Sequence, residues 1–513
     1  MTSPETPTRP DTRWWPLVLI IVAAVSTIAF YELNGGPDRQ RIHMLTMAIA
    51  LGAFLLASLW LLLLSRLPWR RRIGSAVVGG LFLAAFFAAF TIKGVDGDLF
   101  PILEWRWQAA PGLPVAVNGA KPTKALPGIR DFSQFFGPAR DGNIKGLTLA
   151  RDWQAAPPQL LWRRSVGAGW SGFAIAGNRA ITQEQHGSDE TVVCYDAATG
   201  DVQWVHSDKA RYFTKLGGLG PRATPTVDGD LVFTQGSTGL VNCLDLKTGA
   251  RVWQTNVSDG TQTTDPPWGT SCSPLVYGNL VLLQVGGDGR SLVAHDKKTG
   301  KRLWSGGDDA AHYSSPVLAR LAGIEQVLLF SAGAVAAHSP QNGRVLWRYP
   351  WKAGHPHVCL PVILTGDRIL VSSGYGTGAE LLQIAKNDHG WTAERLWQSR
   401  RLKAKFANLV VRDGFVYGLD DGILTSVDIA SGQRTWKRGR YGHGQLLLVD
   451  DVLLVTTEYG SVVLVEATPD KPRQLAELEV FDSKTWNPPA LAGPYLFIRN
   501  DRAAACYRLA LLD

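Results

Sequence analysis

The sequence predicts an all-β chain behind a membrane anchor. The expected fold is an eight-bladed β-propeller of four-stranded antiparallel blades, closed by its N- and C-terminal strands and preceded by three transmembrane α-helices. Three observations carry that expectation. The phrase Asp-x-x-Thr-Gly-x-x-x-Trp, or a close variant, ends at Trp204 (CYDAATGDVQW), Trp253 (CLDLKTGARVW), Trp304 (AHDKKTGKRLW), Trp347 (AHSPQNGRVLW) and Trp436 (SVDIASGQRTW). From Trp162 through Trp204, Trp253, Trp304, Trp347, Trp397 and Trp436 the steps are 42, 49, 51, 43, 50 and 39 residues. Three long uncharged stretches open the chain, and nothing later matches their length.

Those stretches are residues 14–31, 44–65 and 73–92. Each is long enough to cross a hydrocarbon core of about 30 Å as a helix. Between the second and third lie Arg66, Arg70, Arg71 and Arg72 with no acid. Loops rich in arginine stay in the cytoplasm, so the third span runs outward and everything after Lys93 is expected outside. The expected location is a bacterial cytoplasmic membrane, with the C-terminal domain on the periplasmic side. No charged residue interrupts the spans to mark a pocket within the bilayer.

Three regions follow: residues 1–92 as the helical anchor, 93–158 as a Pro/Gly-rich linker and 159–513 as the propeller. The linker carries DFSQFFGPARDG, Asp131–Gly142. Its Phe135 and Phe136 beside a Gly-Pro turn suit an aromatic plug against the following domain, and a partly ordered tether suits the same residues.

The repeat has a geometric cause. A strand ends at Asp, the x-x-Thr-Gly segment turns the chain with Gly at positive φ, and a short strand places Trp at a fixed point. PRATPTVDGDLVFTQGSTGLVNCLD shows the two hairpins of one unit in order. Units of forty to fifty residues with four strands are propeller blades. A buried Trp between neighbouring sheets contributes roughly 2–3 kcal/mol by area. Inner strands begin near Trp170, Arg222, Thr270, Tyr313, Val358, Phe406, Gly444 and Asn487, which makes eight. The last unit has three strands of its own. QLLWRR at residues 159–164 supplies the fourth and closes the ring, removing exposed sheet edges. Blade five has NDHGWTAERLW in place of the Thr-Gly turn, and blade seven has no Trp.

Composition narrows the function classes. Net charge is +8, of which nine Lys/Arg and six Asp/Glu precede residue 101, leaving +5 for the rest without long basic runs. No nucleic-acid partner is expected from that balance. Five cysteines with no C-x-x-C read as small buried hydrophobes.

The units resemble the pyrroloquinoline-quinone (PQQ) repeat, the tryptophan-docking propeller motif, over residues 159–510. No Trp-Asp ends the blades, which separates them from WD40 repeats. FFGPARDG, PRATPTVDGD, PPWGTSCSPLV and SSGYGTG together look most like the BamB-like PQQ-repeat proteins of bacteria. The resemblance implies one of two branches. In quinoprotein dehydrogenases, PQQ and Ca²⁺ sit over the central channel. The other branch contains cofactor-free propellers such as the outer-membrane assembly lipoprotein BamB. This chain departs from BamB in having helices and no lipobox.

Candidate chemistry sits in the loops entering the inner strands, which converge around the channel. They carry Trp170, Arg211, Lys215, Arg222, Asp265, Trp268, Asp309, His312, Tyr313, His355, His357, Lys403, Lys405, His443, Lys484 and Trp486. This reads as a basic bowl with aromatic walls, suited to an anionic, planar or acidic ligand. Trp170, Trp268 and Trp486 are candidate stacking residues, Arg222 a candidate carboxylate clamp and His312 a further cofactor-binding candidate. Asp265 and Asp309 are the candidate catalytic bases or ligands. Acids are few there, the vicinal disulfide of alcohol-oxidising enzymes is absent, and 44 residues per blade leaves little for insertions over a cofactor. HPH at 355–357 has metal-ligand types without an identifiable third ligand, so no metal site is assigned. The expected function is therefore a non-cytoplasmic binding or scaffold module at the cell envelope, with a protein or polymer partner and the lipid bilayer as its anchor. The alternative is a PQQ-dependent dehydrogenase that oxidises an alcohol or sugar and feeds membrane quinone.

Overall fold

A computed structural model describes residues 12–34, 36, 39–107, 125–258, 266–351 and 357–512. The chain divides into two compact units, residues 1–109 and 110–513.

The first unit holds three helices: α1 (Trp15–Asn34), α2 (Arg39–Leu59, running on into a π turn over Trp60–Leu64) and α3 (Trp69–Ala89). All three are long and apolar enough to cross a membrane. Their side chains bury little against each other: Val18, Leu51, Phe54, Val78 and Leu81 are all more than half exposed. An apolar surface of that extent needs lipid or a protein partner. Strands β1 (Phe90–Val95) and β2 (Pro101–Trp105) then form an antiparallel hairpin.

The second unit is the propeller. Eight antiparallel four-stranded sheets follow one another, with inner strands at Ala174–Ala176, Thr226–Asp228, Leu275–Tyr277, Val317–Leu321, Val362–Leu364, Val410–Arg412, Gln445–Val449 and Ala490–Ala492. The eighth blade is completed by Gln159–Ser165, whose Trp162 pairs with Cys506 on the last strand. A buried network welds the closing seam. The Arg499 guanidinium of blade eight donates to Thr182 Oγ1 and to the Gln183 and Gly167 carbonyls, at 2.7, 2.9 and 2.8 Å. Blade-one Glu184 accepts from Gly167 N–H at 2.7 Å and from Tyr195 OH at 2.5 Å.

The recurring turn now has a contact that explains it. Five of the docking indoles donate to a carbonyl in the turn of the next blade, and Trp304 packs over Gly343 of its turn without such a bond. Trp162 donates to Ala197 O, Trp204 to Leu246 O, Trp253 to Lys297 O and Trp397 to Ile429 O, at 2.8–3.0 Å. In the repeat that acceptor is the residue just after Asp, and Asp holds the turn by accepting from N–H groups two and three residues on. Gly is required because the ring occupies the place of a side chain. A Cβ on Gly249 would stand 2.4 Å from the Trp204 ring. Blade five lacks the turn, and there Trp347 donates instead to Gln326 Oε1 of its own blade at 2.7 Å, with Trp391 packed against the same cluster.

Residues 125–150 do not stand off the ring. They run across the end of the channel where the inner strands finish. Phe132 and Ile175 exchange backbone hydrogen bonds at 2.9 and 3.0 Å, Val227 N–H donates to Ser133 O at 2.7 Å, and strand β3 (Asn143–Ile144) pairs in parallel with Leu448–Val449. Phe136 is 5% exposed, and its ring fills the place a Cβ on Gly142 would take. From this strap Arg140 enters the channel, 3% exposed. Its guanidinium donates to Ser273 O (3.1 Å), Pro316 O (2.9 Å), Pro274 O and Gln134 Oε1 (2.8 Å), so one side chain ties blades three and four to the strap. Burial pulls its pKa down to about 10, which leaves it charged at neutral pH.

Candidate functional site

The opposite mouth of the channel is lined by the loops that enter the inner strands. Their short inner strands force rings from different blades towards the axis. Trp170 of blade one lies 5.1 Å from Trp486 of blade eight, and Trp486 lies 5.0 Å from Phe406 of blade six. Phe406 meets Trp268 of blade three edge-on at 6.3 Å and His443 of blade seven at 5.4 Å. Trp268 stacks on Tyr313 of blade four at 5.1 Å, and the chain of rings continues through His312 to His357 of blade five. An aromatic layer therefore closes this mouth.

Hydrogen bonds hold the rings in place. Trp170 Nε1–H donates to Gly217 O at 2.7 Å, Trp486 Nε1–H to Glu458 Oε1 at 2.8 Å, and Trp268 N–H to Tyr313 OH at 3.0 Å. Cations lie over the layer. The Lys484 ammonium is 4.0 Å from the Trp486 ring and 4.5 Å from Trp170. Lys405 is 4.8 Å from Tyr375 and 5.3 Å from Phe406. Arg222 lies over Tyr212 at 5.1 Å and donates to Gly218 O at 3.0 Å. Burial pulls the His312 imidazole down to about 4, so it is neutral at pH 7 and the positive charge comes from lysine and arginine. Such a surface recognises anionic groups and π faces together.

The expected site residues part into two sets. Trp170, Arg222, Trp268, His312 and Trp486 all reach this mouth. Asp309 does not join them: it is held by Arg348, whose Nε lies 3.0 Å and Nη2 2.6 Å from Asp309 Oδ1. Asp265 and His355 lie outside the described residues. The His357 ring is buried and stacks on Phe330 at 4.4 Å. Sequence reasoning did not single out Glu458, Tyr212 or Tyr375. Glu458 follows the second strand of blade seven, where nothing in the pattern marks a turn residue as facing the axis.

PQQ with Ca²⁺ can be tested against these residues. Lys484 and Arg222, both part-exposed, suit its carboxylates, and Lys405 is buried. A calcium ion needs several oxygen ligands, and among the described residues no group of three or more His, Cys, Asp or Glu side chains lies close enough to hold a metal ion. Among the described residues, the acid that touches the ring layer, Glu458, accepts from Trp486 Nε1–H and from His443 N–H, both at 2.8 Å. The donor set does not fit, and no reaction step is derived through the cofactor.

The family model described as outer membrane protein assembly factor BamB matches residues 150–267 and 188–438, more than half of the chain. The chain belongs to this BamB-like PQQ-repeat family. Among relatives of this BamB-like propeller, BamB of Yersinia pestis is 26% identical over 233 residues, 42% of this chain and 56% of that protein. BamB of Moranella endobia is 24% identical over 47% of this chain and 64% of its own length. The quinoprotein alcohol dehydrogenase PedH of Pseudomonas putida is 28% identical over 26% of this chain and 24% of its own length. The chain thus spans less than two thirds of each of these relatives. Two solved structures share the BamB-like fold. BamB from Moraxella catarrhalis has a TM-score of 0.51 at 13% identity, covering 69% of this chain and 98% of that one. The quinohemoprotein alcohol dehydrogenase of Comamonas testosteroni has a TM-score of 0.53 at 12% identity, covering 74% and 80%.

One buried acid near Arg222 makes a pH prediction for the BamB-like propeller. Glu190 is 7% exposed and accepts from Ser237 N–H at 3.1 Å. Burial pushes its carboxyl up to about 7, against the pull of that hydrogen bond and of Arg222. A raised acid keeps its proton in the folded state after the unfolded chain has lost it. The contribution of Glu190 to stability should therefore fall as pH rises from about 4.5 to about 7 and level off above, by about 3 kcal/mol at most. Denaturant titrations across pH 4–8 should show this loss, and Glu190→Gln should flatten it. An unchanged slope in the variant would remove Glu190 as its source.

Proposed function

We propose that this protein is an envelope binding scaffold, held in the cytoplasmic membrane by three helices with its propeller on the non-cytoplasmic side. The observation that carries this reading is the aromatic layer. Rings from seven blades fill the mouth of the channel, and Arg140 fills the other end. What remains is a rigid ring whose face offers the part-exposed Lys484 and Arg222, with Lys405 buried beneath, suited to an acidic segment of a protein or polymer. The arginine loop at Arg66 and Arg70–Arg72 supports the orientation. The names of the BamB relatives support a role at the envelope.

Two measurements test it. All five native cysteines are buried, so an impermeant maleimide should label Lys298→Cys in intact spheroplasts and Arg71→Cys only after permeabilisation. The reverse pattern would refute the orientation. A photo-crosslinking amino acid at Phe406 should give discrete adducts that disappear in a Lys484→Glu variant. Adducts insensitive to that charge reversal would move the binding face elsewhere.

The dehydrogenase is a second reading, favoured by the PedH match and the cationic rim. PQQ titration with and without Ca²⁺, followed by tryptophan quenching, decides it. The scaffold predicts no saturation up to about 100 μM, a free energy weaker than roughly −5.5 kcal/mol. Calcium-dependent saturation that is lost in Trp170→Ala, Trp268→Ala or Trp486→Ala would replace the scaffold with the enzyme.

A further inference from the structure

Among the described residues, no other element covers one face of the hairpin after the third helix, and the chain dictates where that face lies. α3 ends at Ala89 and β1 starts at Phe90, with no residue between them. The hairpin then returns to the same helix end. Arg106 N–H donates to Ala89 O at 2.9 Å, and the Arg106 guanidinium donates to Phe87 O at 2.9 Å. Carbonyls of a last helical turn have no partner within the helix, and a cation there meets the negative end of its dipole. The tip is fixed as well. His43 Nδ1 lies 3.1 Å from Asp98 O, and its ring packs edge-on against Phe100 at 5.7 Å. His43 sits near the start of α2. Because α2 and α3 are joined by a short loop at their other ends, the start of α2 and the end of α3 lie on one side of the helical unit.

Strand alternation sorts the hairpin into two faces. Phe90 pairs with Trp105 and Ile92 with Leu103 on one face, and Thr91 pairs with Glu104 on the other. Lys93 reaches Glu104 at 3.2 Å on that second, polar face. On the apolar face Ile92, Leu103 and Trp105 are 49%, 46% and 48% exposed, and Phe100 and Trp107 beside it are more exposed still. An isolated two-stranded hairpin is marginal in water. This one is pinned at both ends to helices that are long and apolar enough to cross a membrane.

We propose that the apolar face of this hairpin is seated in the headgroup region of the leaflet into which α3 emerges. It is an interfacial anchor that lays the start of the tether on the membrane. Tryptophan and phenylalanine rings suit that depth, where one part of the side chain meets acyl chains and another meets water. Lys93 and Glu104, each 23% exposed and paired with each other, lie on the opposite face. The inference rests on the spanning assignment of the three helices.

The test uses the full chain in phosphatidylethanolamine–phosphatidylglycerol vesicles. Single cysteines at Leu103 and Thr91 are spin-labelled, with Val78→Cys in mid-helix and Lys298→Cys on the propeller as controls. Power saturation with oxygen and with a water-soluble nickel chelate reads depth. The expected result places Leu103→Cys within about 5–10 Å of the headgroup boundary, deeper than Thr91→Cys. Nickel access at Leu103→Cys equal to that at Lys298→Cys would overturn the proposal. So would shielding from both reagents, which would mean that protein covers the face. A label at Val78→Cys outside the lipid would sink the spanning assignment itself, and the anchor with it.

Discussion

Arg140→Met should lower the stability of the propeller by about 3–5 kcal/mol. The substitution keeps much of the volume and removes every donor. Hydrogen bonds from a charged group contribute about 1.5–3 kcal/mol each, and a buried acceptor left unmade costs about 1–3 kcal/mol. Arg140 serves the carbonyls of Ser273, Pro274 and Pro316 at once, in a place water reaches poorly. Its loss also unties the strap from blades three and four, because Arg140 sits on the strap and those carbonyls sit on the blades, and it leaves Gln134 Oε1 within the strap without its 2.8 Å donor. Arg140→Lys should recover less than half of the loss, since an ammonium cannot serve carbonyls in a planar fork. Guanidinium titration of the detergent-solubilised chain, read by near-UV circular dichroism, measures both. A loss under about 1 kcal/mol in the methionine variant would show that the strap is an accessory and not part of the fold.

The second large effect belongs to the docking tryptophans. Trp204→Ala should cost about 3–5 kcal/mol, the usual range for deleting a buried Trp side chain. Trp204 is 4% exposed and donates to Leu246 O at 3.0 Å across the blade boundary. Gly249→Ala should be damaging for two reasons: φ is +70°, and the new Cβ would meet the indole at 2.4 Å. Only the second reason depends on Trp204. The double variant should therefore be more stable than the sum of the single losses predicts, because removing the ring makes room for the methyl group. The same unfolding titrations supply all four corners of the cycle. Strict additivity would mean that the turn glycine serves backbone conformation alone, and the explanation of the repeat would be wrong.

Much of this architecture was legible in the residues. The tryptophan steps reported the blade length, the Gly turns reported hairpins, and a three-strand final unit with a spare strand at residues 159–164 reported the closure. Trp162 does pair with Cys506 as that closure requires. The site was legible only in part. Trp170, Trp268, Trp486, Arg222 and His312 could be placed near the mouth from their position just before inner strands. That they form one continuous layer could not be read, because Trp268 and Phe406 approach each other from blades three and six. Contacts between residues well over a hundred positions apart leave no mark on local periodicity. Asp309 shows the converse. Its place in the chain suggested chemistry, and only Arg348 on the outer strand of the same blade shows where its charge is spent.

The sequence by itself determined the blade number, the docking tryptophans, the closing strand and the three apolar helices. All of these follow from periodicity or run length, which local sterics and burial impose on neighbouring residues. Tertiary structure alone decided the fate of FFGPARDG, the filling of both channel ends and the pinning of the hairpin to two helix ends. Each of those depends on where distant blades or helices bring a carbonyl, a ring or a backbone strand. Arg140 is an unremarkable arginine in a linker until three carbonyls from blades three and four converge on it.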